Sequence, residues 1–380
     1  MWEQFGAYHV DRLTALAEAL GDHYRVVGIE VASASLTYAW KPVEDGGTFE
    51  RHTLFPDAKA EQVPWRHKMR GFFRVLSQYK AAGVFLCNQE QPEILAICAR
   101  LRLMRVPAYA MLDAKFDDSP RKVLKEAAKQ LVFKLYRGGL VAGQRHLDYY
   151  RFLGMPANWA ATAYDTVSIE RIRNQADREL APGGKPHANR DFVVVARFVP
   201  KKNIPTAIRA YARFRELCPD APQRLLLCGS GELEPMIRAL IAELGVSGVE
   251  LCGFLDTHAV AAVLADAMAL ILPSIEEQWG LVVNEAVALG LPVICSDNVG
   301  ARDTLVRSGV NGFVVEPGNH EGLAFYMALL ARDPELWRQM SLASHARAPL
   351  GDVSEFIRGV SELVGLRARI APGEDTARAN

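Results

Sequence analysis

The sequence predicts an α/β protein made of two doubly wound, Rossmann-like domains. The chain has 380 residues, half of them apolar, which is enough for two hydrophobic cores. Short apolar runs alternate with helical patterns, as in parallel sheets. One Pro- and Gly-rich stretch, 181–190, interrupts the alternation and reads as a linker. We therefore expect a first domain over 1–185, a second over 191–350, a C-terminal helix at 351–366 and a disordered tail at 367–380.

The first domain begins with a helix over residues 9–20 instead of a strand. An α/β domain normally places a buried strand there, so we expect either that the true start lies upstream or that this strand is reduced to a residue or two. Strands and helices then alternate. The predicted strands are 26–31, 84–87, 108–112, 139–142 and 160–163, and the predicted helices are 65–82, 92–104, 121–136, 146–153 and 168–179.

The same alternation restarts after the linker. Two doubly wound halves joined by a hinge are expected to face a ligand cleft. The predicted strands are 192–196, 224–228, 249–252, 269–272, 292–295 and 311–315, and the predicted helices are 205–217, 234–244, 259–267, 281–289, 322–331 and 334–345.

Composition excludes several functional classes. The formal net charge is zero, so the chain lacks the global basic field of a general nucleic-acid-binding protein. The six cysteines lie far apart without metal-ligand spacing, which is typical of reduced thiols, and no metal site is predicted. No apolar run reaches the length of a membrane span and no signal-peptide pattern is present. We expect a cytoplasmic protein.

The stretch 272–286 is the strongest functional motif, because Glu277 and Glu285 flank Gly280 at the predicted start of a helix. Such a helix directs free backbone N–H groups and the positive end of its dipole towards the carboxyl edge of the sheet, where phosphates bind. Glu285, one turn further along, could reach sugar or ribose hydroxyls. The motif therefore favours a polar, phosphate-containing ligand.

Arg197 and Lys202 follow the first predicted strand of the second domain, at the same edge of the sheet. Two fixed cations there suit a diphosphate. A Lys-Lys pair after a strand is by itself more often a solvated turn. The glutamate motif at the same edge favours the phosphate interpretation.

Three glycines are further candidates for this edge. Gly229 and Gly231 form a Gly-x-Gly turn, but Glu234 stands where a dinucleotide fingerprint would have its third glycine. We interpret the turn as a tight strand-to-helix connection that lines the cleft. Gly300 either allows a ligand to approach the backbone or simply ends a strand, and both interpretations stay open.

Gly6, His9 and Asp113 are the candidates in the first domain, because each lies near a strand-edge loop. A histidine at the start of a helix is more often a cap than a catalyst. Asp113 could accept a hydrogen bond from a sugar hydroxyl, or it could pair with Lys115 or Arg121.

Two basic amphipathic helices, 65–76 and 121–129, lie in the first half, which carries more Lys and Arg than Asp and Glu. Such faces are usually solvated. They would also suit a lipid-linked acceptor and a peripheral contact at the inner face of a membrane.

Residues 192–345 resemble family 4 of the retaining glycosyltransferases, whose two-Rossmann-domain fold is called GT-B. The resemblance rests on Arg197 and Lys202, on the Gly-x-Gly turn, and on the Glu-x7-Glu motif of Glu277 and Glu285. It implies that Arg197 and Lys202 neutralise the donor diphosphate, that Glu285 binds the ribose and that Glu277 holds hydroxyls of the transferred sugar.

The resemblance also implies that the backbone at Gly280 and Leu281 lines the phosphates and that no metal or other cofactor is needed. The expected partners are a nucleotide diphosphate sugar and a hydroxyl acceptor: a polysaccharide, a glycolipid or a small glycoside. The first half matches less well, since Asp113 stands where many members have a histidine and the Gly-rich loop survives only as Gly6 and Ala7. Those departures keep the acceptor side open.

The predicted function is therefore retaining transfer of a sugar, with the incoming hydroxyl deprotonated by the phosphate of the donor. A catalytically weak nucleotide-sugar-binding protein of the same fold is the alternative. A phosphorylase of this fold would carry pyridoxal phosphate on a lysine, and the sequence indicates no such lysine.

Overall fold

The computed structural model describes residues 1–36, 47–155 and 159–366. The predicted tail, 367–380, lies outside them. The contacts divide the chain into two units. The first contains Met1–Ala114, Arg121–Ser168 and the described residues from Val353 on, and the second contains Lys115–Pro120 and Ile169–Asp352.

Short parallel strands form the sheets of both units. In chain order the described strands are β1 (Val27–Glu30), β2 (Glu50–Thr53), β3 (Val84–Leu86), β4 (Ala108–Leu112), β5 (Gly138–Val141), β6 (Ala160–Ala161), β7 (Phe192–Val195), β8 (Leu225–Cys228), β9 (Val249–Gly253), β10 (Ala269–Leu272), β11 (Val293–Ser296) and β12 (Gly312–Val315).

Helices connect most of these strands, as the alternating pattern predicts. In chain order the described helices are α1 (Ala7–Leu20), α2 (Trp65–Leu76), α3 (Pro92–Leu103), α4 (Val123–Phe133), α5 (Gln144–Phe152), α6 (Ile169–Ala176), α7 (Ile204–Leu217), α8 (Glu234–Leu244), α9 (Thr257–Ala265), α10 (Leu281–Ala288), α11 (Arg302–Leu305), α12 (His320–Arg332), α13 (Pro334–Arg347) and α14 (Val353–Val364).

The second unit contains a six-stranded sheet in the order β12-β11-β10-β7-β8-β9. Its first strand, β7, is central and fully apolar, and the chain runs outwards from it first on one side and then on the other. The order reverses between β7 and β10, which is the topological switch point where α/β sheets bind ligands. The loops after these two strands are therefore the expected place for a site.

In the first unit β3-β4-β5-β6 form one sheet and β1-β2 another. Trp2 lies beside β1 and forms a parallel β-bridge with Glu30. Its backbone nitrogen donates to Ile29 O at 3.0 Å. The nitrogen of Met1 donates to Phe85 O of β3 at 2.8 Å. The position expected for a first strand is therefore occupied by a single bridging residue.

The predicted linker, 181–190, is part of the second unit, and the boundary between the units falls after residue 168 instead of near 185. Arg190 explains the difference, because its guanidinium is buried and donates to Ala265 O at 2.8 Å and to further carbonyl oxygens. A guanidinium has five N–H donors, so one buried arginine can anchor a stretch of irregular backbone.

Strand β2 and helix α2 are two of the elements that differ from the prediction. The strand β2 was not predicted, because its sequence, Glu-Arg-His-Thr, has no apolar alternation; two of its side chains instead bond to Glu30 of β1. Helix α2 ends at Leu76, six residues before the predicted end at 82, because the chain turns so that Tyr79 can bond to Glu50. The predicted C-terminal helix is present as α14, and it belongs to the first unit, where Leu363 O accepts a bond from Tyr109 at 3.0 Å.

Candidate active site

The loops after β7 and β10 lie side by side at the switch point of the second unit. Backbone and side-chain bonds join them: Ile275 N donates to Lys201 O at 2.8 Å, and the amide of Asn203 donates to Pro273 O at 3.1 Å. Asn203 has a left-handed backbone, which turns the first loop into α7. The fold therefore brings together two motifs that are more than 70 residues apart in the sequence.

Lys202 and Glu277 form an ion pair across these two loops. Ser274 also donates to Glu277 Oε2, at 3.0 Å. The side chains of Lys202 and Glu277 are 15% and 11% exposed, so the pair is mostly enclosed but reachable. Two predicted ligand-binding residues thus hold one another in position.

The backbone of the Glu277 loop is held by the chain after β11. Glu277 bridges Val299 in parallel, and Gly300 N donates to Glu277 O at 3.1 Å. A Cβ at Gly300 would lie 1.8 Å from Gln278 O. The close approach that Gly300 permits is therefore to this loop of the protein itself.

Gly280 begins α10, as predicted. Its φ of +99° is in a region that favours glycine, and a Cβ there would lie 3.2 Å from Glu277 Cγ. Val283 N donates to Gly280 O at 2.9 Å, whereas the N–H groups at the very start of an α-helix, here at Leu281, have no partner within the helix and can receive an anion. Glu285 lies one turn further along α10 and is 8% exposed.

Trp279 and Asn284, which the sequence reasoning missed, fix the start of α10. The indole of Trp279 donates to Asn284 Oδ1 at 2.8 Å, and both side chains are buried. The amide of Asn284 donates in turn to Gly351 O at 3.2 Å. The sequence signal for this contact is a tryptophan just before a predicted helix start, followed five positions later by an asparagine within the helix.

The Gly-x-Gly turn supports the loop that carries Arg197. A Cβ at Gly229 would lie 1.9 Å from Ala196 O, and one at Gly231 would lie 2.6 Å from Phe198 O. Both glycines have φ near +150°. Their role in the structure is thus close packing against backbone on either side of Arg197.

The Arg197 side chain is exposed, and it forms no ion pair with any residue that the structure describes. Lys202 at the other end of the loop is paired with Glu277, so Arg197 is an exposed cation and Lys202 an enclosed one. That is a suitable arrangement for a ligand with two negative phosphates.

In the first unit, His9 caps α1. Gly6 N donates to His9 Nδ1 at 3.0 Å, and the ring packs 5.0 Å from that of Trp2. Burial and then the positive charge of Arg12 lower the pKa of His9 well below its usual range. The neutral ring with an accepting Nδ1 is the form that this cap requires. The structure therefore brings the predicted residues Gly6 and His9 together, in a hydrogen bond that caps the helix.

Asp113 directly follows β4 and is partly buried. Of the cations considered as its partners, Lys115 forms an ion pair with Asp118 at 2.5 Å, and Arg121 donates to the hydroxyl of Tyr149 at 3.1 Å. Its contact with an acceptor hydroxyl stays a prediction.

Within 1–36, 47–155 and 159–366, no group of three His, Cys, Asp or Glu side chains is placed to hold a metal ion.

Residues 175–347 match the family model described as glycosyl transferases group 1. This part of the chain is therefore similar to that family. The matched residues include both loops at the switch point, the Gly-x-Gly turn and α10. The match lies within the second unit, where the predicted donor residues are.

Two curated relatives show how far the likeness extends. Trehalose phosphorylase of Grifola frondosa is 31% identical over 182 residues, which are 43% of this chain and 24% of that protein. A putative colanic acid biosynthesis glycosyltransferase of Salmonella typhimurium is 28% identical over 268 residues, 68% of this chain and 63% of that protein. The chain spans less than two thirds of the length of these relatives.

Among solved structures, Anabaena HepE in complex with UDP and glucose superposes with a TM-score of 0.67 at 18% identity, over 96% of this chain and 98% of that one. The likeness shows a shared fold. It confirms the predicted α/β class and the GT-B fold with two Rossmann-like units.

Proposed function

We propose that this protein is a retaining glycosyltransferase that moves a sugar from a nucleotide diphosphate sugar to a hydroxyl acceptor. The observation that carries the proposal is the Lys202–Glu277 pair at the switch point of the second unit, on the loop that also presents Arg197. The match of this unit to glycosyl transferases group 1 supports it.

The cations act on the leaving group. When the bond between the sugar and the diphosphate breaks, negative charge collects on the phosphate oxygens, and fixed charges that stabilise it lower the barrier. Lys202 has three N–H donors, so it can bind a phosphate oxygen while it keeps its bond to Glu277. Arg197 would supply the second charge, and the backbone at Gly280 and Leu281 would supply N–H donors.

The two glutamates bind hydroxyls. Glu285 is assigned to the ribose and Glu277 to the transferred sugar, since a carboxylate accepts two or more hydroxyl donors. Glu277 has one oxygen occupied by Lys202 and Ser274. Its position is thereby set before the sugar arrives, which favours precise orientation of the reacting carbon.

In the proposed reaction the bond from the anomeric carbon to the diphosphate breaks, and a bond from that carbon to the acceptor oxygen forms on the same face. The acceptor proton passes to an oxygen of the departing phosphate. No side chain is assigned as a nucleophile or as a base, so the acceptor oxygen attacks the anomeric carbon of the donor itself.

A ligand screen followed by an assay tests the proposal. Thermal unfolding of the full chain is measured with uridine, guanosine, adenosine and thymidine diphosphates and with their sugars. A ligand at 100 times its dissociation constant stabilises by about 2.7 kcal/mol. The best donor is then assayed for hydrolysis and for transfer to a panel of polysaccharide, glycolipid and small glycoside acceptors.

Three outcomes are distinguishable. Binding with turnover supports the transferase. Binding without hydrolysis or transfer supports the alternative, a nucleotide-sugar-binding protein of weak activity. The absence of any stabilisation by the nucleotides would contradict both.

The match to trehalose phosphorylase favours one further candidate, in which inorganic phosphate takes part in cleaving a glycoside. Incubation with a disaccharide and phosphate, without nucleotide, separates the two: a phosphorylase releases a sugar phosphate, whereas the proposed transferase does not react.

A further inference from the structure

Helix α4 of the first unit exposes most of its apolar residues, unlike an ordinary surface helix. Val123 and Leu124 are 85% and 86% exposed, and Leu131 is 65% exposed. The alanines at 127 and 128 are exposed as well. At helical spacing these five residues lie on one face, because positions four apart are neighbours. An apolar stripe therefore faces solvent along the whole of α4.

The inward face of α4 combines the buried Phe133 with a buried charged network. Glu126 is buried and accepts from the hydroxyl of Tyr149 at 2.7 Å and from Lys129 at 3.0 Å. Arg121 donates to the same hydroxyl at 3.1 Å. This network ties α4 to α5 through polar contacts. The outward orientation of the apolar stripe is thus built in, since turning the helix over would bury the stripe only by breaking the network.

Cations border the stripe. Lys122, Lys125 and Lys134 are exposed, and the only acidic residue of α4 is the buried Glu126. The stripe continues towards the end of α3: Arg102 donates to Lys134 O at 2.7 Å, and the next residue, Leu103, is 86% exposed. On α4 itself the exposed apolar residues are thus bordered by lysines, with no exposed acidic residue among them.

Helix α2 provides the contrast. It exposes Arg66, Arg70 and Arg74, but its Phe72 and Phe73 are buried in the core. Its outer face is basic, and the exposed large apolar residue of this helix is Trp65 at its first position, 39% exposed, beneath Arg66. It has no apolar stripe along its length. Basic charge alone is common to the two helices, and the exposed apolar stripe distinguishes α4.

We propose that the outer face of α4 docks on an anionic membrane surface, with Val123, Leu124 and Leu131 inserted at the level of the headgroups. A helix lying in the interface buries an apolar face there, while lysines at its border reach up to lipid phosphates. A second copy of this chain fits less well, because a symmetric contact through α4 would oppose lysines to lysines without acidic partners. No described helix is long and apolar enough to cross a membrane.

Vesicle flotation of the full chain tests this docking. The vesicles are made of phosphatidylcholine alone or of equal parts of phosphatidylcholine and phosphatidylglycerol. Wild-type protein is expected to float with the anionic vesicles only. Leu124→Ser together with Leu131→Ser is expected to lower the bound fraction about tenfold or more, because the inserted apolar area is lost. Lys122→Glu with Lys125→Glu is expected to abolish flotation.

The matched control is Arg66→Glu with Arg70→Glu on α2, which removes the same number of cations and should leave flotation close to wild type. All these side chains are exposed, so unfolding temperatures should stay the same. In a second measurement, Leu124→Trp should add a component to the fluorescence that shifts to shorter wavelength with anionic vesicles.

The proposal is overturned if wild type does not bind anionic vesicles, if the α4 variants bind as wild type does, or if the α2 variant loses as much binding as they do. Dimerisation of wild type that the leucine variants abolish would assign the face to a second copy, and would equally overturn it.

Discussion

Glu30 in the first unit and Glu277 in the second each lie at the carboxyl end of a parallel strand, and each binds a cation. Glu30 is fully buried and bonds to Arg51, Thr53 and the backbone of Phe5. Glu277 is 11% exposed and bonds to Lys202 and Ser274. The carboxylate of Glu30 has structural partners on both oxygens, whereas Glu277 keeps access to solvent.

The difference teaches how the same chemistry serves two purposes. A buried carboxylate whose oxygens are all occupied by the protein holds loops together and cannot take a ligand. A carboxylate at a switch point that remains accessible can exchange or add partners. The predictions below separate the two kinds of site.

The largest effect on stability is expected at Glu30. Replacing it by Ala leaves Arg51 without its buried partner, which should cost about 3–5 kcal/mol of unfolding free energy. Glu50→Ala on the neighbouring strand, whose side chain is 38% exposed, should cost less than about 1 kcal/mol. Urea unfolding measures both, and equal losses in the two variants would refute the assignment of Glu30 as the buried structural carboxylate.

Lys202→Ala should show the opposite pattern, with a large loss of activity and little loss of stability. We expect transfer to fall roughly 100- to 1000-fold, because a charge on the leaving group is lost. Lys201→Ala is the matched control, since Lys201 is adjacent, 39% exposed and lies 4.0 Å from Glu276. Initial rates with the best donor decide, and similar rates for Lys202→Ala and Lys201→Ala would refute the role of Lys202.

Gly229→Ala should reduce both stability and donor affinity, because the new Cβ would overlap Ala196 O next to Arg197. Gly309→Ala is a control with positive φ but open space around it. We expect Gly229→Ala to lose about 1–3 kcal/mol more than the control. Urea unfolding and titration with the best nucleoside diphosphate measure the two effects. Unchanged affinity would show that the turn does not position Arg197.

The smallest effect concerns pH and His9. The pKa of folded His9 lies below its usual value, because burial and then Arg12 disfavour the charged ring. As pH falls below about 6.5, the unfolded chain binds a proton that the folded protein does not, so stability present above that pH is lost at up to about 1.4 kcal/mol per pH unit.

His9→Gln tests this assignment. Glutamine at this helix position can accept from Gly6 N, so the cap is kept while the titration is removed. The variant should match wild type at pH 7 and be more stable than wild type at pH 5, measured by urea unfolding. His9→Ala should lose about 1 kcal/mol at both. If the stability of His9→Gln depended on pH as that of wild type does, the titrating group would be a residue other than His9.

Elements made of apolar residues were easier to predict from the sequence than elements made of polar ones. Buried strands such as β4 and β10 were predicted to the residue, because a short apolar run between turn residues has few other structures. β2 was missed because its polar side chains are satisfied by Glu30 and Tyr79, from other parts of the chain. The boundary that the contacts draw differs from the predicted one for a related reason: Arg190 stands in a Pro- and Gly-rich stretch, but it is buried and donates to Ala265 O and Ala267 O, which are distant in the sequence.

At the candidate site, local motifs identified Lys202, Glu277 and Gly280, since glycine at a helix start and charge after a strand are local requirements. That Lys202 pairs with Glu277, and that Gly229, Gly231 and Gly300 serve loop packing, could not be predicted, because each contact joins segments far apart in the chain.

The sequence by itself determined the α/β class, most strands and helices, and the family likeness of the second unit, because these depend on periodicity and on short motifs. Only the tertiary structure decided that Glu30 is structural, that His9 caps α1 and that α4 turns its apolar stripe outwards. Burial and pairing are properties of the assembled fold: the same glutamate, histidine or leucine serves structure or recognition according to the neighbours that distant segments supply.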